Sequence, residues 1–431
     1  MYIAIDDTDS TRWMCTTYLA TELVASLPEY DLIGLPRLVR LNPAVPWKTR
    51  GNGAICLRFG RGSGSGRKIG EIAGKAILSF SRIGTPADPD DLMETGFEIL
   101  SRWSRVSEGA SPGLVVSTRK PSQALYWSAV REIVDREKVL QVLSSNGSRW
   151  KVLEGGRGIV GASAAMAWRP RDRTYELLAY RARERWGTGR DIDTDSIIEM
   201  DRLFPSTFNN LDPVGGKPAI APNSPCPVLY GIRGDSPDDL MLATRTVNSE
   251  PVDRYLLFLT NQGTDDHIIR RWTDLLPNRS YSIKGTVTGE PRHLPGGHVV
   301  LTISTRRGEL ECTAYEPSKR FRGVARALST GDVIQVMGEL REEPRTLNVE
   351  KIQVISLSGV MEKKGNPTCP GCGRRMKSTG RGTGFRCRSC GSRAGESEAE
   401  WAPVERDLEE GWYEPPVPAR RHLSKPLKRG R

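Results

Sequence analysis

Long apolar runs are missing from this chain of 431 residues. The longest span a handful of positions, far short of the ~20 that a membrane-crossing helix needs. A basic leader followed by an apolar stretch is missing too, so secretion is not expected and a cytoplasmic location is. Histidine is scarce: four residues, at 267, 293, 298 and 422, with no metal-ligand spacing. None is assigned chemistry, and only His267, beside Asp265 and Asp266, stays a candidate site group. Of eight cysteines, Cys15, Cys56, Cys226 and Cys312 are scattered without metal-like partners. Between Lys363 and Arg393 there is no acidic residue, against nine basic ones.

What the chain does have is positive charge. Lys plus Arg number 63 and Asp plus Glu 52, a net of +11. Residues 361–431 carry 16 basic and 9 acidic side chains, so most of the excess lies near one end. Codon bias in a GC-rich genome also raises arginine, but such concentration fits a polyanionic partner, nucleic acid first. A hydrophobic content of 37% suffices for packed cores. At ~150 residues per domain the length allows about three domains and a small fourth.

Residues 1–9, MYIAIDDTD, read as a buried strand ending in carboxylates. A loop from Ser10 to Cys15 leads to a helix, Thr16 to Leu27, whose Leu19, Leu23, Val24 and Leu27 share one face. Thr16 or Thr17 can cap its free N–H groups. Strands are expected over 33–40 and 53–59, joined by the loop Asn42–Asn52. GRGSGSG at 60–66 reads as a flexible linker or hairpin tip, 68–82 as helix, 112–118 as strand and 122–143 as helix. Small residues after the glycines of 155–161 suit a helix that approaches something closely. Strands at 174–182 and 228–232 flank an acidic stretch and a proline-punctuated loop. Five β-runs follow, at 281–288, 298–304, 309–315, 332–340 and 347–355, with a helical turn at 319–328 between the third and fourth. That is the order of an OB-fold barrel, with another small barrel or a half-sandwich as the alternative. Residues 415–431 read as extended.

Four motifs carry chemistry. Cys369-x2-Cys372-x14-Cys387-x2-Cys390 matches a tetrahedral zinc site, structural because four thiolates leave no open position. Two disulfides or a redox CxxC are the alternatives. The cytosolic reading argues against the first, and the lack of a βαβ context against the second. Asp6, Asp7 and Asp9 at a strand end suit Mg²⁺ held with nucleotide phosphates, or else an acidic helix cap. Gly155 to Gly161 can offer backbone N–H groups to a phosphate, though no GK[ST] follows to make a Walker A loop. NPAVPWKTRGN, with Trp47, Lys48, Arg50 and Asn52, suits phosphate contact and base stacking, or is an ordinary connection.

IDDTDS, MCTTYLA, RLNPAVPWKTRGNGA, GRGIVGA and NSPCPVLYGIRG, in that order, resemble the archaeal tRNA-isoleucine 2-agmatinylcytidine synthetase family, TiaS. EPVDRYLLFLTNQGTDDH, the β-barrel, the four-cysteine ribbon and the tail RRHLSKPL extend the resemblance to nearly the whole chain. It implies an α+β multidomain fold. A kinase-like α/β catalytic domain would take 1–60 with about 150–200, and a ferredoxin-like domain 61–149 with about 201–275. An OB-fold would take 280–358, and a zinc ribbon with a basic tail 361–431. The implied reaction is ATP-dependent attachment of agmatine to C2 of cytidine 34 in the CAU anticodon of an isoleucine tRNA, giving agmatidine. The tRNA then decodes AUA. Implied catalytic residues are Asp6, Asp7, Asp9 and Thr16, the last matching a threonine phosphorylated in the family. ATP contacts fall on Thr8, Ser10, Gly155, Arg157, Gly158 and Gly161. Agmatine, a dication, needs carboxylates and carbonyls, so the segments Ser206–Asp212 and Pro222–Tyr230 are its candidates. Agmatine and cytidine contacts are expected on Lys48, Arg50, Asn52, Phe208, Asn209, Asp212, Asn223 and Cys226. Mg²⁺ would accompany ATP, Zn²⁺ would be structural, and tRNA, ATP and agmatine would be the partners, with no membrane. A non-catalytic nucleic-acid binder and a small-molecule kinase with an RNA-binding appendage are the alternatives.

Overall fold

The computed structural model describes residues 1–10, 12–49 and 51–430. The chain opens with β1 (Tyr2–Asp6), α1 (Thr16–Ser26), β2 (Asp31–Ile33), β3 (Arg37–Arg40) and a hairpin of β4 (Gly53–Ile72) and β5 (Lys75–Pro86). Next come α2 (Pro89–Trp103), β6 (Gly113–Ser117), α3 (Gln123–Arg131), α4 (Arg136–Ser145), β7 (Arg149–Val152) and α5 (Gly158–Ala167). β8 (Thr174–Arg181), α6 (Thr194–Leu203), β9 (Val228–Gly234), α7 (Pro237–Ala243) and β10 (Val252–Thr260) complete this part. All ten strands form one sheet, ordered β7-β6-β1-β4-β3-β10-β8-β9, with β2 and β5 bonded alongside β4.

Ile3, Ala4 and Ile5 are all buried because helices cover both faces of the sheet. Ile3 and Ile5 pack with Leu19 and Leu23 of α1 and Leu92 and Leu100 of α2. Ala4 packs on the other face with Tyr126 of α3 and Ala162 and Ala165 of α5. Leu19, Leu23 and Leu27 are buried as expected, and α1 stops at Ser26 because Pro28 restricts the residue before it. β1 runs antiparallel to both neighbours, and β10 joins β3 in parallel, Leu259 opposite Arg37. The end of β1 is therefore not the carboxyl end of a parallel strand; what shapes it is the close approach of α5, whose Gly158 and Gly161 pack against Asp6.

Two expectations fail at 60–82. The Gly/Ser run lies inside β4, and 68–82 is strand on both sides of a turn at Ala73–Gly74, where φ is +49° and +76°. The glycines make room across the ladder: a Cβ on Gly62 would lie 2.3 Å from the Phe80 ring, and one on Gly66 2.9 Å. The helix α2 was not anticipated, although Asp88 caps it and Pro89 opens it.

Strands at Arg279–Val287, His298–Thr305, Gly308–Ala314, Val333–Leu340 and Leu347–Ser356 build the barrel, with a helix at Phe321–Ala327 between third and fourth. Pairing of the first strand with the second and of the third with the fifth closes it, as an OB-fold requires. Short strands then flank the turns that hold the four cysteines. Residues 415–430 are not extended into solvent but fold back over the large sheet. Lys425 and Arg429 reach Asp172 at 3.1 and 2.8 Å, and Arg421 reaches Glu350 at 3.1 Å. No helix among the described residues is long and apolar enough to cross a membrane.

Candidate active site

Asp6 ends β1 beneath α5. A Cβ on Gly161 would lie 1.8 Å from the Asp6 Oδ2, and one on Gly158 2.3 Å from the Asp6 carbonyl oxygen. Only glycine at these positions lets the helix cross the strand end. Asp7 follows with φ of +55°, a conformation costing ~1–3 kcal/mol that persists where the surroundings impose it. Burial, then the charges of Asp7 and Asp9, push the Asp6 carboxyl well above its ordinary range. Burial also raises Asp7, against the pull of Arg157, whose Nη2 lies 3.3 Å from Asp7 Oδ2. Carboxylates crowded in this way favour a bound cation.

These acids open on a cavity of about 460 Å³. Asp6, Asp7, Asp9, Lys48, Asn52, Arg157 and Gly161 line it, with apolar surface from Trp47, Ile133 and Val160. Four residues expected at a nucleotide are not in this lining. Thr8 is fully buried, and its Oγ1 donates to Thr16 Oγ1 at 3.1 Å. Ser10 Oγ accepts from the N–H groups of Arg12 and Trp13 and so shapes the loop. Gly155 is exposed, its Cβ direction facing Ser111, and Gly158 serves the helix crossing. Arg50 lies outside the described residues.

A second cavity, about 500 Å³, adjoins the first, and Asp9, Asn52 and Gly53 line both. Thr16, Phe208, Asn209, Asn223 and Cys226 line it as well. Thr16 is the first residue of α1, a helix with no side-chain cap and no acid in its first turn, so its N-terminus is suited to an anion. Asp212 is not in the lining; its Oδ1 accepts from Arg320 at 3.0 Å. The sequence reasoning missed Arg40, Glu176, Arg233, Gln262, Arg420 and His422, all at this cavity. Glu176 accepts from Arg233 at 2.9 Å and lies 3.6 Å from Arg40. Its signal was a lone acid within an apolar strand, TYELLAYR. His267 stands elsewhere, buried against Glu350 at 2.9 Å, where it joins the large sheet's module to the barrel.

The four ribbon cysteines converge. Their sulfurs all lie within 4.8 Å of one another, and the pairs Cys369–Cys390 and Cys372–Cys387 are 3.4 Å apart. A tetrahedron with Zn–S of ~2.3 Å has edges near ~3.8 Å, so one Zn²⁺ fits. Hydrogen bonds from Ser392 draw the Cys390 thiol down to about 6, which favours the ligating thiolate.

A passive binder of nucleic acid has no use for three carboxylates beside a polyanion, since they repel phosphate unless a cation intervenes. The barrel and ribbon therefore belong to an enzyme that acts on nucleic acid. Family models agree segment by segment: TiaS TCKD domain over 2–154, TiaS FLD domain over 156–267, an OB-fold nucleic acid binding domain over 281–355 and the TiaS C-terminal zinc ribbon domain over 366–408. The first two spans run consecutively, where the sequence reading interleaved them, and their strands share one sheet. The whole chain is 42% identical to the tRNA-isoleucine 2-agmatinylcytidine synthetase TiaS of Archaeoglobus fulgidus, covering 97% of that protein. Against the synthetase of that name from Methanocaldococcus jannaschii identity is 37%, with 99% and 98% of the two chains covered. A crystal structure of TiaS in complex with its isoleucine tRNA and ATP superposes with a TM-score of 0.86 at 39% identity, over 99% of this chain and 97% of that one. A complex of TiaS with that tRNA, AMPCPP and agmatine gives 0.83 at 37% identity, over 99% and 96%. The chain belongs to the TiaS family.

Proposed function

We propose that this chain uses ATP to attach agmatine to C2 of cytidine 34 in the isoleucine tRNA that carries a CAU anticodon, in the cytoplasm. The observation that carries this reading is the wall common to the two cavities, formed by Asp9, Asn52 and Gly53. A nucleotide on one side and an amine with a cytosine on the other would bring phosphate to the base. The C2 oxygen of cytosine is a poor leaving group. Once phosphorylated, it departs as phosphate when the amine adds at C2.

Phosphoryl transfer is catalysed chiefly by positioning and charge neutralisation. Among the described residues only the four cysteines converge as three or more metal-binding groups, so the acids form no closed cage. That suits Mg²⁺, which takes one or two carboxylates and completes its shell with phosphate oxygens and water. Asp6, Asp7 and Asp9 would hold it, and it would neutralise charge on the phosphates. Arg157 and Lys48 would contact phosphate oxygens, while Trp47 and Ile133 would flank the adenine. Thr16, at the uncapped start of α1, would accept a phosphoryl group. Agmatine, a dication in water, would lie along Phe208, Asn209, Asn223 and Cys226. The barrel and the basic ribbon would hold the tRNA while the cytosine is splayed into the pocket.

Mass spectrometry of nucleoside 34 tests this, with the protein, Mg²⁺-ATP, agmatine and transcripts of the CAU isoleucine tRNA and of methionine tRNA. The expected result is a mass gain of agmatine minus water, in the isoleucine tRNA alone. Tight RNA binding with no mass gain and no ATP consumption would reduce the chain to a nucleic-acid binder.

A further inference from the structure

The tail motif RRHLSKPL has no part in the function proposed above, yet its first three residues line the second cavity. His422 lines that cavity, and its Nδ1 lies 3.0 Å from Gln262 Oε1. The amide nitrogen of Gln262 donates to the Glu176 carboxylate, which fixes Oε1 as the atom facing the ring. Nδ1 therefore carries the imidazole proton, and Nε2 keeps its lone pair. Glu176, 1% exposed, is itself held between Arg40 and Arg233. The relay thus has one orientation. Nε2 lies beside Gly51 and the Arg40 guanidinium: a Cβ on Gly51 would sit 3.0 Å from His422 Nε2 and 2.6 Å from Arg40 Nη1, so only glycine leaves the ring edge uncovered there. The Arg40 guanidinium above all, with desolvation in the cavity and Arg233, holds the imidazole's pKa well below its ordinary value, so the ring stays neutral although it is exposed to the cavity.

We propose that His422 Nε2 accepts the proton of agmatine's amine as the C2–N bond forms. This rests on the placement of agmatine in the second cavity. The amine reacts as its unprotonated form, which the cations of Arg40, Arg233 and Arg420 favour over ammonium by repulsion. Its lone pair attacks C2, and the nitrogen gains a positive charge. Bonded to an electron-poor carbon, that nitrogen is far more acidic than an alkylammonium, and its proton passes to Nε2. The C2–O bond then breaks, its electron pair leaving with the phosphate. Beside two guanidiniums the imidazolium is short-lived and gives its proton to water.

The test is single-turnover agmatine transfer by the full chain, comparing His422→Ala, His422→Gln and Asn223→Ala. Both His422 variants should lose ~10²-fold or more in rate, the span of general-base contributions. Their agmatine KM should stay within about threefold, the mark of a group used in the transition state. Free imidazole should restore part of the rate to His422→Ala. Asn223→Ala should instead raise the agmatine KM. Unchanged rates in the His422 variants, with a raised KM in Asn223→Ala, would overturn the proton acceptor and keep the placement. No effect of any variant would overturn both. Recovery in His422→Gln, or a loss that imidazole does not rescue, would make His422 a hydrogen-bonding or structural group and overturn the proposal.

Discussion

Gly161 and Asp6 share one volume: the carboxylate occupies the space a side chain on the helix would take. In an exposed helix interior, Gly→Ala gains ~1 kcal/mol. Gly161→Ala is expected to lose ~1–3 kcal/mol instead, as overpacked sites do, read as a lower urea midpoint. Asp6 itself carries a penalty. A carboxyl whose folded pKa is raised binds more protons folded than unfolded, so its effect on stability worsens as pH rises from about 4 through the folded pKa. Asp6→Asn should therefore raise the Tm at pH 7 without nucleotide, by ~2–4 °C for each kcal/mol relieved. The gain should vanish below about pH 4, where the unfolded carboxyl is also protonated. An unchanged Tm at pH 7 would contradict the buried-charge account. Nucleotide affinity should fall in the same variant, because the proposed site loses one of the carboxylates that would hold Mg²⁺.

Element by element, the zinc ribbon is the most separable part. Cys387→Ser should release zinc, measured by metal analysis, and weaken tRNA binding while agmatine affinity holds. The slope of log affinity against log salt should shrink by about 0.7–0.9 for each phosphate that the ribbon no longer neutralises. Ribbon and barrel were legible in the sequence because their signals are local: CxxC spacing, and two-residue alternation between turns. The acid cluster and the start of α1 were legible for the same reason. The β4–β5 hairpin was not, because Gly62 and Gly66 answer to Phe80 on the opposite strand, and a glycine run read alone resembles a linker. His422 was illegible for a stronger reason. Its partner Gln262 is 160 residues away, and only the fold-back of the tail brings them together.

At the scale of the whole molecule, charged contacts fasten the barrel and tail to the large sheet's module. Lys351 of the barrel, 3% exposed, donates to Asp265 at 2.9 Å, and Arg420 of the tail donates to Asn209 at 2.7 Å. Removing one partner of such a buried charged pair costs ~3–5 kcal/mol, because the other charge is left buried and uncompensated. The tail also closes one side of the second cavity through Val417, Pro418 and Arg420. Truncation after residue 414 should therefore weaken agmatine binding, measured by calorimetry, with the ribbon and its zinc intact. ATP and agmatine are expected in two cavities that meet at Asp9 and Asn52. Calorimetric affinities of both ligands for the wild type, Asp7→Asn and Asn223→Ala test that division. Asp7→Asn should weaken Mg²⁺-ATP at least ~10-fold, the scale of one charge-assisted hydrogen bond, and leave agmatine unchanged. Asn223→Ala should do the reverse. A variant that weakens both ligands equally, or a swap of the two effects, would contradict the division of the site.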